Sequence, residues 1–219
     1  MQILFISDTH GQHKSLKLPK LDVADTESTM LIHTGDISKR GKEDEVIDFL
    51  NWFEIQDYTY KIFIAGNHDF LFEMNPTLAE SLVPTNCIYL NNSSVEIEGI
   101  KIWGSPITPR FYDWAFNCDR GEKIRKYWEQ IPSDTDILLT HGPAYGILDQ
   151  TIQGLQVGCE ELIKFVEKIK PKIHAFGHIH EAYGKSNNSD TLFINASVLD
   201  IRYKLTNQPI LIDWDKNQS

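Results

Sequence analysis

Ile62-Phe63-Ile64-Ala65-Gly66-Asn67-His68-Asp69 opens as four apolar residues, stops at a glycine, and delivers an amide, an imidazole and a carboxylate. The same pattern recurs four times. Ile3 to Ile6 leads to Asp8-Thr9-His10, Met30 to Ile32 to Gly35-Asp36, and Ile137 to Leu139 to His141-Gly142. Ile173 to Phe176 runs into Gly177-His178-Ile179-His180. Aliphatic runs this short, broken at glycine or a polar turn, predict buried strands of an α/β sheet. Ligands of such sheets bind beyond the carboxyl ends of the strands, where all five blocks fall. Asp, His and Asn arriving together at one sheet edge predict a metal centre.

The blocks supply seven donors: Asp8, His10, Asp36, Asn67, His141, His178 and His180. Carboxylate, imidazole and amide oxygen are borderline to hard donors suited to divalent Mn, Fe, Zn, Co or Ni. Seven donors exceed the needs of one ion and serve two if a carboxylate is shared. Asp36, arriving alone from its own strand, is the natural bridge. Two divalent transition metals so held would acidify a bridging water and clamp both oxygens of an in-line phosphoryl displacement. His68 is left over beside Asp69, as expected of a general acid and its orienting carboxylate. Each block alone is ordinary turn or cap chemistry: Asp8 suits a helix cap and Asn67 a left-handed turn. The combination is what points to a site, since five of the eight histidines fall within the blocks.

The intervening sequence places helices and a hairpin around the strands. Glu43-Asp44-Glu45 makes an acidic first turn for a helix carrying Val46, Ile47, Leu50 and Phe53. Asn75-Pro76 reads as a cap and N1 proline for a short helix over Thr77 to Leu82. Val95, Ile97, Ile100 and Ile102 alternate about Gly99 as an antiparallel hairpin. Further helices carry Ile124, Trp128 and Ile131, then Leu162, Phe165, Val166 and Ile169 before Pro171. Leu192 to Asn195 and Ile210 to Ile212 close the chain as strands, and the polar stretch from Gly11 to Thr29 loops out. Early alternation followed by hairpins predicts two packed mixed sheets flanked by helices.

Among the other histidines, His33 and His174 read as core residues and His13 as a loop residue near the mouth of the site. His178 and His180 point to the same side if their segment is extended. Arg110, Trp114, Phe116 and Asn117 form a segment suited to walling a base or contacting phosphate, or to an ordinary surface loop. Asn67, His68 and Arg110 are the candidate substrate contacts. Cys87, Cys118 and Cys159 are odd in number and in no CxxC pair, so a reduced, cytoplasmic setting is expected and the thiols are packing residues.

With 219 residues, 41% of them hydrophobic and without a linker-like tract, the chain is expected to form one domain over 1–219. Four apolar residues before Ser7-Asp8 are too few for a signal peptide or a membrane span. A formal net charge of -10 argues against a phosphate-tracking nucleic-acid surface and favours a small phosphorylated substrate, a nucleotide among the candidates. Neither long nucleic acid nor membrane is an expected partner, and the oligomeric state is not set by these residues.

Taken together, the five blocks resemble the signature of the calcineurin-like metallophosphoesterase superfamily. Within it the chain is similar to the small MPPED-type metallophosphoesterase-domain proteins. That similarity rests on His33-Thr34-Gly35-Asp36, Tyr60 to His68, Thr140-His141-Gly142-Pro143, Val157-Gly158-Cys159 and Ile194-Asn195-Ala196-Ser197. The resemblance implies a four-layer α/β/β/α sandwich with a dinuclear site at the sheet edges. It implies Asp8, His10 and His180 on one metal, Asn67, His141 and His178 on the other, and Asp36 between them. It also implies that His68 contacts phosphate and protonates the leaving oxygen, steered by Asp69. Some MPPED-type proteins have glycine at the position of His178, weakening the second site, and some carry Glu at that of Asp69.

The function expected is phosphodiester hydrolysis by attack of a metal-bridging hydroxide, with cyclic or other nucleotides among the candidate substrates. A phosphomonoesterase acting on proteins or nucleotides is the alternative within the same chemistry. A nucleotide-binding scaffold with slow turnover is the alternative outside it.

Overall fold

Alternation along the first strand sets the layering. The computed structural model describes residues 1–21 and 28–214. In β1 (Gln2–Ile6), Ile3 and Phe5 face a second sheet while Leu4 and Ile6 face helices, as a period of two requires. Parallel neighbours β2 (Thr29–His33), β3 (Tyr60–Phe63) and β4 (Ile88–Tyr89) extend that sheet on one side. The hairpin β5 (Ser93–Ile97) and β6 (Ile100–Ser105) starts the second sheet. After the short pair β7 (Thr108–Pro109) and β8 (Asn117–Cys118), β9 (Ile137–Thr140), β10 (Ile173–Phe176), β11 (Gly184–Asn187) and β12 (Leu192–Asn195) complete it. The last strand, β13 (Ile210–Asp213), returns antiparallel to β1. Sheet orders are β13-β1-β2-β3-β4 and β11-β12-β10-β9-β6-β5.

Between the sheets, Ile3, Phe5, Ile32 and Ile62 share one apolar cluster with Ile102, Leu139, Ile173 and Ile194. Outside the first sheet lies α1 (Glu43–Glu54), which buries Val46, Phe49, Leu50 and Phe53. Each of these side chains contributes roughly 1.5–3 kcal/mol on burial. Phe49 and Phe53 close on Phe63 of β3 at ring distances of 6.0 and 5.9 Å. The acidic first turn is as expected, and Glu45 accepts from the backbone N–H groups of Arg40 and Lys42. Two short helices follow, α2 (Phe70–Met74) and α3 (Pro76–Ser81), the second capped by Asn75 with proline at its first position. On the other side, α4 (Glu122–Trp128) and α5 (Glu160–Ile169) bury Ile124, Trp128, Leu162 and Val166. Ile131 is buried but lies beyond the end of α4. Lys170 ends α5 in the left-handed conformation just before Pro171. Two mixed sheets packed face to face and flanked by helices make the expected four layers.

His13 departs from expectation. It sits in a 3-10 turn over His13–Ser15, buried rather than at the site mouth, 3.3 Å from Asp48 and edge-on to Phe49. Residues 22–27 of the expected loop lie outside the described residues. Among the described residues no helix is long and apolar enough to cross a membrane.

His33 and His174 are core residues. His33 Nδ1 accepts from the Gly35 N–H at 3.2 Å, and its Nε2 lies 3.0 Å from Thr9 Oγ1. His174 Nε2 lies 2.8 Å from Thr140 Oγ1, whose own proton goes to the Gly142 carbonyl at 2.7 Å. The hydroxyl is therefore the acceptor there, and His174 Nδ1 has no partner among the described residues. Burial lowers the pKa of His174 from 6.5 to about 3. Below about pH 6.5 the unfolded chain takes up this proton and the folded chain does not, so stability falls on acidification. At pH 5 the cost is about 2 kcal/mol, from 1.36 kcal/mol per pH unit. We expect the urea midpoint of His174→Gln to drop less than that of the wild type between about pH 7 and pH 5. Equal drops would remove His174 as the source.

Candidate metal centre

The five blocks end the five strands that the aliphatic runs form, and the sheet edges bring them to one place. Asp8, His10 and His180 set ligand atoms within 4.8 Å of one another, and so do Asp36, His141 and His178. A third set, His10, Asp36 and His68, meets the same limit and joins the first two. All seven expected donors lie in these sets except Asn67, whose Oδ1 is 2.9 Å from His141 Nε2.

Asp36 sits at the centre. Its Oδ1 accepts from the His68 N–H at 2.8 Å, which fixes the carboxylate. Its Oδ2 lies 3.5 Å from His10 Nε2 and 3.3 Å from His141 Nε2, one oxygen between two groups of donors. Asp8 is held by Ser197 Oγ, 2.6 Å from Oδ2, and by the His178 N–H, and its Oδ1 is 3.4 Å from His180 Nε2. Backbone carbonyls orient two of the imidazoles. His141 Nδ1 donates to Thr34 O at 2.9 Å and His180 Nδ1 to Asp200 O at 3.1 Å, so each presents Nε2 to the centre.

The electrostatics are those of a cation site. Burial pushes the Asp8 and Asp36 carboxyls up, but neighbouring imidazoles outweigh it and hold both well below 3.8. Burial pulls His141 and His180 down, yet the ionised Asp36 and Asp8 drive each up to about 9. For His10 and His178 burial wins and holds them at about 4. Two buried carboxylates are thus balanced by protons on two histidines, and divalent metal would displace those protons. His10 Nε2 is buried with no hydrogen-bond partner among the described residues. An unpaired nitrogen beside two carboxylates fits a metal ligand.

The backbone is contorted to make this convergence. Asp8, His10, Asp36 and His178 all adopt positive φ, at 54°, 40°, 56° and 68°. Non-glycine residues hold such angles only where their surroundings impose them, and such strain clusters at functional sites. The segment from His178 to His180 is not extended, as the sequence reading allowed; His180 begins a 3-10 turn, and the two rings go to different donor sets. Gly35 (φ 103°) admits no side chain, since a Cβ there would stand 2.5 Å from His141 Nδ1. A Cβ at Gly66 would lie 2.7 Å from His141 Cε1.

Asp69 does not steer His68. Its carboxylate accepts from the N–H groups of Ile37, Ser38 and Gly66 and from Ser38 Oγ, at 2.6–3.1 Å. Burial and the Asp36 charge push its carboxyl up to about 6, against four donors that favour the ionised form. His68 is held instead by the Lys39 carbonyl, 2.7 Å from Nδ1, and by Trp114, whose ring stacks on it at 4.1 Å and 27°. Asp69→Ala would strand three backbone donors in the interior, at about 1–3 kcal/mol each. We expect the metal-free variant to lose several kcal/mol in urea unfolding; wild-type stability would refute this bracing role.

A cleft of about 420 Å³ opens above the donors. Arg110 and Trp114 line it, while Phe116 is buried and Asn117 faces its own loop. Sequence reasoning missed Phe111, Tyr112 and Tyr203, which also line the cleft, and Ser197, although the stretch around Ser197 carried part of the resemblance.

The chain matches the calcineurin-like phosphoesterase family over residues 1–182. It belongs to that family. Metallophosphoesterase domain-containing protein 1 of Homo sapiens is 40% identical over 233 residues, covering 95% of this chain and 69% of the human protein. The fold is shared more widely. Phosphopantetheinyl hydrolase of Mycobacterium tuberculosis superposes with a TM-score of 0.60 at 14% identity, covering 92% of this chain and 90% of that one. TT1561 of Thermus thermophilus gives 0.55 at 14%, covering 89% and 88%. Calcineurin-like phosphoesterases are metal-dependent and typically dinuclear, and the candidate ligand sets of this chain fit that description.

Proposed function

We propose that this calcineurin-like phosphoesterase hydrolyses phosphodiesters, with Asp8, His10 and His180 holding one divalent metal and Asn67, His141 and His178 a second. Asp36 would be the carboxylate shared between them. The observation that carries the reading is the position of Asp36 Oδ2, 3.5 Å from His10 and 3.3 Å from His141, with its sister oxygen already engaged. A mixed carboxylate, imidazole and amide set accepts several divalent transition metals, and Mn is the one the family resemblance points to. Bound there, such a pair supplies Lewis-acid polarisation of the phosphate and an acidified water.

The chain contributes the rest. His68 donates its Nδ1 proton to the Lys39 carbonyl, which leaves Nε2 for the cleft; as the imidazolium, with a second proton on Nε2, it can protonate a leaving oxygen and return to the neutral ring. Lys39 O and the Trp114 ring keep the imidazole from turning away. Asn67 and His68 line the cleft beside the donors, where they would contact a bound phosphate. Arg110 is tied at 2.5 Å to Asp119, and Arg120 to Glu160 and the carbonyls of Val157 and Gly158. Both arginines of the lining therefore carry partners already, which suits a singly charged diester better than a doubly charged monoester.

The test is hydrolysis of bis-p-nitrophenyl phosphate against p-nitrophenyl phosphate by metal-stripped protein reconstituted with Mn. We expect kcat/KM to favour the diester by at least about tenfold, or 1.4 kcal/mol of transition-state binding. Preference for the monoester would overturn the diesterase reading and leave a phosphatase.

A further inference from the structure

The far wall of the cleft takes no part in the chemistry above, yet it is built. The segment between β7 and β8 carries Phe111 and Tyr112 into the lining, with their rings 4.4 Å apart at 63°. They remain 58% and 75% exposed, though the backbone beneath them is fastened. Asn117 Nδ2 donates to the carbonyls of Phe111 and Tyr112 at 3.1 and 2.9 Å, and its Oδ1 accepts from the Phe111 N–H. Tyr112 is held at φ 53°. Two large rings are thus fixed in water on a stapled loop, an arrangement that folding alone does not favour.

The same space is lined by Pro143, Val157, Arg110 and Arg120, and the metal donors His10, Asp36, His178 and His180 line it too. Aromatic edges, proline and guanidinium planes are flat, rigid surfaces that stack on planar rings. We propose that Phe111 and Tyr112 form a subsite for a planar aromatic ring carried by the phosphate ester. The inference rests on the reading of the cleft floor as a phosphoester site and names the kind of substituent it takes.

Two arms test it on the Mn-loaded protein. In the first, kcat/KM is measured for bis-p-nitrophenyl phosphate and for methyl p-nitrophenyl phosphate, which share a leaving group and differ in the retained substituent. Wild type should prefer the first by about tenfold or more, and the doubly substituted Phe111→Ser, Tyr112→Ser protein should lose most of that preference. In the second, calorimetry compares phenylphosphonate with methylphosphonate. Wild type should bind the phenyl compound about tenfold more tightly, and the variant should not. A thermal unfolding midpoint equal to that of wild type shows the variant is folded. Equal affinity of wild type for both phosphonates, or a variant with undiminished ring preference, overturns the subsite. No diester turnover by wild type, with the calorimetric preference intact, would instead sink the diesterase reading and leave the subsite standing.

Discussion

Asp36→Asn should bind neither metal at concentrations that saturate the wild type, and should lose at least roughly 10³-fold of turnover, because even groups outside a coordination shell cost 10–100-fold when removed. The geometry explains why one substitution reaches both ions. Oδ1 is already committed to the His68 N–H, so the change falls on Oδ2, which stands between His10 and His141. An amide oxygen or NH₂ there carries no charge, and a neutral group bridges two cations poorly. Asn would also remove the charge that drives His141 up to about 9, leaving its imidazole governed by burial. Metal analysis after equilibration with Mn reads the first effect. Unfolding supplies a second readout, since wild type should gain about 2.7 kcal/mol at a metal concentration 100 times the Kd. Two ions per chain in Asp36→Asn would remove the bridging role.

His68→Ala should do the opposite to the metals. Its content should stay at two per chain while turnover falls by about 10²–10⁴, the range of a positioned general acid. The loss should be larger for an alkyl leaving group than for p-nitrophenolate, which departs readily without a proton. His68 has ligand-like proximity to His10 and Asp36, so the metal measurement decides between two roles. Loss of metal with turnover would make it a ligand. Unchanged turnover would deny it either role.

Much of this was legible in the residues. Buried parallel strands show as short aliphatic runs because both faces are covered, and polar donors at their ends cannot be packed elsewhere. Asn75-Pro76 and the alternation about Gly99 needed no tertiary information. What stayed hidden depends on contacts distant in sequence. Asp69 looks like a partner for its neighbour His68, but the turn aims it at Ile37, Ser38 and Gly66. The carbonyls of Thr34, Lys39 and Asp200 orient three imidazoles, and every residue has a carbonyl, so no letter marks them. β11, with the sequence Gly184-Lys185-Ser186-Asn187, is an edge strand whose pairing with β12 leaves no apolar pattern. His13 looked exposed because it follows a polar block, yet α1 covers it. Phe111 and Tyr112 follow Arg110 in the same segment, and no sequence pattern tells which of its aromatic rings are exposed and which, like Phe116, are buried.

The left-handed backbone at His178 bears on how this family changes with descent. Holding a side chain at φ 68° costs about 1–2 kcal/mol, a cost glycine does not carry. A replacement that cannot ligate forfeits the ligand and, unless it is glycine, keeps the strain; glycine forfeits the ligand and releases it. In a lineage no longer selected for turnover, stability therefore favours one residue at this position over all others. In this chain the histidine stands above the bottom of that slope, its backbone strain set against what its imidazole would give a bound metal.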